Sequence, residues 1–149
     1  WDTVPSVEAA AWPVASQRVL VVGEGAMADA LCTRYRGARV LVPDAGRSIE
    51  DLAGLLDGTP FEHVFWIAPA AAMEPSISDE RLLDAQACGV VALFRLVKAL
   101  LGLGYDTRSL GWTVVTTQCQ AMHGHDPVHP AHATVHGLTG SLAKEYPQW

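Results

Sequence analysis

Short apolar runs and amphipathic stretches alternate along most of this chain. The runs "RVLVV" (18–22), "ARVLV" (38–42), "HVFWIA" (63–68) and "LGWTVVTT" (110–117) are continuous and rich in β-branched residues. That is the pattern of strands covered on both faces. Between them lie the helix-like segments "AMADALCTRYR" (26–36) and "SIEDLAGLL" (48–56), then a longer one from Asp79 to about Leu103. In the long segment Leu82, Leu83, Val90, Phe94, Val97 and Leu101 recur at spacings of three, four and seven, so this stripe is expected to lie against the sheet. A last helix runs from Ala131 to about Tyr146, where Pro147 ends it. The order β-α-β-α-β-α-β-α predicts an α/β fold, a truncated Rossmann-like doubly wound parallel sheet with flanking helices and right-handed crossovers. One further strand is expected directly after Trp149. Residues 1–17 show no sustained period and read as an extended lead-in with room for one short strand, which leaves 18–149 as the folded unit.

Composition narrows the class. The 149 residues allow one domain, and half of them are apolar while 17% are charged, a balance suited to a packed core and not to disorder. A net charge of −6 with only ten scattered Lys and Arg argues against a nucleic-acid partner. Cys32, Cys88 and Cys119 are widely spaced and form no C-x-x-C pair, so neither a disulfide framework nor a zinc ribbon is expected, and a reducing, cytoplasmic setting fits. The longest apolar stretch, "ACGVVALFRLVKALLGLG", is broken by Arg95 and Lys98, and no membrane span is expected from it. The start, "WDTVPSVEAAAWP", has none of the marks of a secretory leader and reads as an excerpt from a longer polypeptide.

The first strand ends in "GEGAMA", which fits G-x-G-x-x-G/A with Gly23 and Gly25 in the turn and Ala28 at the third position. Asp44 follows 21 residues beyond Gly23, at the end of the second strand. In a dinucleotide site such glycines let the backbone approach the pyrophosphate, the helix N-terminus stabilises its charge, and the acid binds a ribose hydroxyl. Glu24 places a carboxylate in the same turn, which opposes an anion there. Two readings stay open at this point: Gly23, Gly25 and Asp44 bind NAD(P) in an independent oxidoreductase, or the small residues serve close strand-to-helix packing.

The C-terminal stretch "HPAHATVHGLTGSLAKEYPQW" resembles the active-site helix of the short-chain dehydrogenase/reductases. In that family a Tyr-x-x-x-Lys pair precedes a segment like "AAVHGLTRSLA", with a Ser or Thr some 12 to 13 residues before the Tyr. The resemblance implies that Tyr protonates the carbonyl while hydride arrives from the nicotinamide, and that Lys lowers the Tyr pKa. Here His132 falls where the Lys belongs, Val128 where the Tyr belongs, and Thr116 or Thr117 near the Ser. Valine has no proton to donate.

Together "WDTVP", "GWTVVTTQ" and the C-terminal motif resemble the structural, N-terminal subdomain of a polyketide synthase ketoreductase, of the type whose acyltransferases act in trans. The resemblance implies a non-catalytic half with no catalytic, cofactor or metal residues of its own, bracing a catalytic half that would lie beyond residue 149. It further implies a parent that uses NADPH to reduce a β-ketoacyl group on an acyl carrier protein, with neighbouring synthase domains as partners.

Other constellations are weaker. His123, His125, His129, His132 and His136 crowd one segment, and His132 and His136 share a helix face, but no H-E-x-x-H or ligand-spaced cysteine accompanies them and no metal is expected. Ser141 lacks a G-x-S-x-G elbow and reads as a small packed residue. Cys119 has no basic neighbour in sequence and reads as a buried small side chain. Glu145 reads as a surface or domain-contact carboxylate. Trp1 and Trp149 are expected to pack on an adjoining domain.

Overall fold

A computed structural model describes residues 13–69, 79–126 and 128–149. Four parallel strands form one sheet in the order β2-β1-β3-β4: β1 (Val19–Val22), β2 (Arg39–Leu41), β3 (His63–Ile67) and β4 (Gly111–Val115). Val21 pairs with Val40 on one side and Phe65 on the other, and Phe65 pairs in turn with Thr113. The two central strands are the most apolar, and all four residues of β1 are buried. This is the α/β architecture read from the alternating runs.

Strand alternation sends side chains into two cores. Leu20, Val22, Val64 and Trp66 meet Leu56 of α2 (Ile49–Leu56), Leu93, Leu96 and Leu100 of α4 (Ala92–Gly102), and Val135 of α5 (Pro130–Glu145). Val19, Val21, Phe65 and Ile67 point the other way and meet Ala28 of α1 (Ala26–Arg34) together with Tyr35. Each fully buried leucine in such a core contributes about 1.5–3 kcal/mol of transfer free energy. Local chemistry sets the helix ends: Ser48 and Asp51 form a reciprocal capping box before α2, and Pro130 occupies the first turn of α5.

Two expectations require correction. The segment from Asp79 to Leu103 is not one continuous helix. The helix α3 (Asp79–Gln86) passes through a wider turn at Ala87–Val91, where Gly89 leaves helical geometry (φ −91°, ψ −106°), before α4 begins. That break faces the start of α5, since a Cβ on Gly89 would stand 3.9 Å from the Ala131 carbonyl oxygen. The buried stripe is also rotated from the expected one. Leu83 is 70% and Phe94 49% exposed, while Leu93, Leu96 and Leu100 are buried beside Val97. The segment is apolar nearly all round, and the small residues Gly89, Ala92 and Ala99 complete its inner face, so the large side chains alone pointed to the wrong phase. By length and composition Glu80–Gly102 is long and apolar enough to cross a membrane, yet the side of it formed by Leu93, Leu96 and Leu100 packs on the sheet.

Within 13–17 the lead-in makes a turn and no strand, Gln17 N–H donating to the Val14 carbonyl, and the rest of the lead-in lies outside the described residues. The Tyr35 hydroxyl donates to the Pro13 carbonyl at 2.9 Å, tying this turn to the second core. At the far end Trp149 stacks between Trp112 (centroids 5.8 Å apart) and Tyr146 (4.9 Å), and its indole N–H donates to the Tyr105 carbonyl.

Candidate functional site

The strand order reverses between β1 and β3, so the carboxyl ends of these two strands mark the place where doubly wound folds bind ligands. Gly23 lies there at φ +142°, its N–H donating to the Leu41 carbonyl at 2.9 Å. A Cβ on it would stand 2.7 Å from the Cβ of Ile67, the last residue of β3, so a side chain is excluded by packing. Gly25 caps α1 at φ +86° with no atom within 4 Å of an added Cβ, and here the backbone conformation alone demands glycine. Ala28 is buried against the sheet. Glu24 is exposed.

Asp44 is engaged within its own loop. Its Oδ1 accepts from Gly46 N–H at 2.8 Å and its Oδ2 lies 3.7 Å from an Arg47 guanidinium nitrogen. The other Arg47 nitrogen donates to the Val42 carbonyl, and Arg95 of α4 donates to the Ala45 carbonyl across the same loop. Among the described residues the Asp44 carboxylate is thus held by Gly46 and Arg47 of its own loop.

The second half of the site is built where β3 and β4 meet α5, and here the structure brings together residues that the sequence singled out. His132 is buried, with Nδ1 3.2 Å from Thr117 N and 2.7 Å from its carbonyl oxygen, and Nε2 3.1 Å from the Pro69 carbonyl oxygen. A proton on Nε2 is donated to Pro69 while Nδ1 accepts from the Thr117 N–H; a proton on Nδ1 is donated to the Thr117 carbonyl. Only with the proton on Nε2 do backbone groups beyond the ends of both strands bond the ring; with it on Nδ1, Nε2 and the Pro69 carbonyl oxygen are two acceptors face to face. His129 stacks on it at 4.1 Å, its own Nδ1 buried without a partner. Burial, and secondarily the neighbouring His132, depresses the His129 pKa against a smaller opposing effect of its own backbone hydrogen bond. Thr116 meets His136 at 2.8 Å and Cys119 Sγ at 3.5 Å. Val128 stands just before α5, 39% exposed. Among the described residues no three His, Cys, Asp or Glu come together as metal ligands, and His132 and His136 are each directed to strand-end groups.

No protein-family model matches the chain. In sequence it is 35% identical over 150 residues to polyketide synthase PksN of Bacillus subtilis strain 168, and 38% identical over 139 residues to polyketide synthase PksM of the same organism. It is 36% identical over 152 residues to polyketide synthase ThaG of Burkholderia thailandensis. These alignments cover 100%, 91% and 99% of this chain. The chain is a homologue of polyketide synthase segments. It spans only 3% of the length of each of these relatives. Solved structures supply the fold of such a segment. A short-chain dehydrogenase/reductase family oxidoreductase from Burkholderia thailandensis superposes with a TM-score of 0.69 at 23% identity, covering 89% of this chain and 64% of that one. A putative short-chain dehydrogenase/reductase from Burkholderia multivorans, solved with bound NADP, gives 0.64 at 18% identity, covering 89% of this chain and 74% of that one.

Two features of this synthase-like segment were not read from its sequence. His63 of β3 donates to or accepts from the Thr113 hydroxyl at 2.9 Å across the ladder, and Gly111 lies beneath the imidazole, where an added Cβ would stand 2.2 Å from Nδ1. The one signal was a glycine opening a strand run. Arg95, read only as a break in an apolar stretch, ties α4 to the loop after β2.

Proposed function

We propose that the chain is the structural, non-catalytic half of a ketoreductase region in a cytoplasmic modular polyketide synthase, bracing a separate catalytic half. The parent reaction is the NADPH-dependent reduction of a β-ketoacyl group carried by an acyl carrier protein. The observation that carries this reading is the state of His132, which is buried between the backbone of Thr117 and Pro69 and, with its proton on Nε2, has both ring nitrogens hydrogen-bonded there. A side chain held in that way fastens strand ends to a helix and has no free group to offer a substrate, and Val128, just before the same helix, has no proton to give. The glycine turn fits a nicotinamide cofactor poorly as well: Ile67 fills the space over Gly23, Glu24 adds a negative charge, and Asp44 is engaged by Gly46 and Arg47. No step of the reduction is therefore assigned to residues of this chain. Their contribution is preorganisation of the partner half.

Calorimetric titration of the 149-residue chain with NADPH and NADH tests the reading. The expected result is no saturable heat with either nucleotide, together with tight association with a separately expressed catalytic ketoreductase half. Saturable micromolar binding of a nucleotide would overturn it in favour of an independent NAD(P)-dependent oxidoreductase using Gly23, Gly25 and Asp44.

A further inference from the structure

The fold separates charges that the sequence scatters. At the carboxyl ends of the strands the chain is acidic: Glu24 stands in the turn after β1, Asp29 in the first turn of α1, Asp44 after β2, and Glu50 and Asp51 in the first turn of α2. At the amino ends of β1 and β2 the sign changes. Arg18 immediately precedes β1, Arg34 closes α1, Arg36 follows in the turn to β2, and Arg39 is the first residue of β2. Four of the ten Lys and Arg of a chain with net charge −6 thus share one end of two paired strands. Arg18, Arg34 and Arg36 are exposed. Glu62 reaches the cluster at Arg18, its Oε2 accepting from the Arg18 N–H at 2.9 Å and lying 3.9 Å from its Nε. Among the described residues no carboxylate forms an ion pair with Arg34, Arg36 or Arg39. An apolar residue is held beside them. The turn at 13–17 is closed twice, Gln17 N–H donating to the Val14 carbonyl at 3.0 Å and Val14 N–H to the Gln17 Oε1 at 2.9 Å, and it leaves Val14 60% exposed. The buried Tyr35 bonds this turn through the Pro13 carbonyl, and the Arg34 guanidinium lies over the Tyr35 ring, 5.7 Å from its centroid.

We propose that the amino ends of β1 and β2 form a docking surface for an acidic polypeptide, a segment of another protein or domain that presents several carboxylates beside an apolar residue. The carboxylates pair with Arg34 and Arg36, within the field of Arg18 and Arg39, while the apolar residue rests on Val14. Arginine suits this task because its planar guanidinium meets a carboxylate bidentately and is weakly hydrated. Tyr35 holds Arg34 in place beforehand, which lowers the side-chain entropy lost on association. A nucleic acid fits the surface less well, since its charge continues past the patch toward the acidic remainder of the chain. Nucleotide binding at the opposite end of the sheet has no bearing on this surface.

The probe is a fluorescein-labelled peptide of about 16 residues, long enough for a helix, with glutamates on one face around a single leucine. It is titrated against the 149-residue chain by anisotropy at about 50 mM salt, where screening is modest. Saturable micromolar binding is expected, weakened about tenfold or more by Arg34→Glu combined with Arg36→Glu. Lys98→Glu combined with Lys144→Glu makes the same change in net charge at exposed positions of α4 and α5, and is expected to leave the affinity within about twofold. Because Arg34 closes α1, the pair Arg36→Glu and Arg39→Glu repeats the loss with that helix untouched. Equal losses from the arginine and lysine pairs would overturn the proposal, since bulk charge would then account for binding. So would the absence of saturable binding by the peptide, or tighter binding of a DNA duplex of equal total charge.

Discussion

Gly23 and Gly25 stand two positions apart in one turn and carry different constraints. For Gly25→Ala the expected cost is that of a strained backbone alone, about 1–3 kcal/mol, while Gly23→Ala adds the collision with Ile67 and costs distinctly more. Urea unfolding of both variants measures the difference, and equal losses would contradict the packing account. Two histidines, His129 buried and His63 half-buried, give the chain a pH dependence of defined sign. His129 and His63 have pKa values lowered from 6.5, chiefly by burial, so the folded state disfavours their charged forms. Above that value both states hold neutral rings and stability is complete; as pH falls below it the unfolded chain binds protons first and stability is lost down to the folded-state pKa values. The unfolding midpoint is expected to fall between about pH 7.5 and pH 5.5, and His129→Phe to flatten the fall. At this scale the sequence was informative about identity and silent about partners. The positions of His132, Val128, Thr116 and Thr117 were legible from the motif, but that Pro69, 63 residues away, completes the shell of His132 depends on the fold bringing β3 beside β4.

Elements with a strong period or cap signal formed nearly where the pattern put them. The segment "SIEDLAGLL" forms α2 within a residue of the expected start, where the structure adds a capping box of Ser48 and Asp51; Ser48→Ala is expected to cost about 1 kcal/mol in thermal or urea unfolding. The helix before β4 was readable as a helix but not in its orientation, because apolar residues surround it and periodicity then loses its contrast. Paired substitutions separate the two stripes: Leu96→Ala is expected to lose about 2–5 kcal/mol, and Leu83→Ala less than about 0.5 kcal/mol, since Leu96 is 1% and Leu83 70% exposed. The break at Gly89 was not legible, because a lone glycine inside an apolar helical pattern does not announce a departure from helical geometry.

For the whole molecule, strand order places Gly23 over Ile67 at the reversal point, an arrangement no local pattern carries. If the chain braces a catalytic half, that half stabilises it by mass action: at a partner concentration about 100 times its Kd the gain is about 2.7 kcal/mol, seen as a rise in melting temperature absent with an unrelated protein of equal concentration. The stacked rings of Trp112, Trp149 and Tyr146 have a separate consequence. Aromatic transitions held this close in a fixed chiral arrangement couple, and so the end of α5 carries its own near-ultraviolet circular-dichroism band. Loss of that band ahead of the far-ultraviolet helical signal would time the detachment of the end of α5 from β4, and the molecule thus supplies an optical clock for that event without any added label.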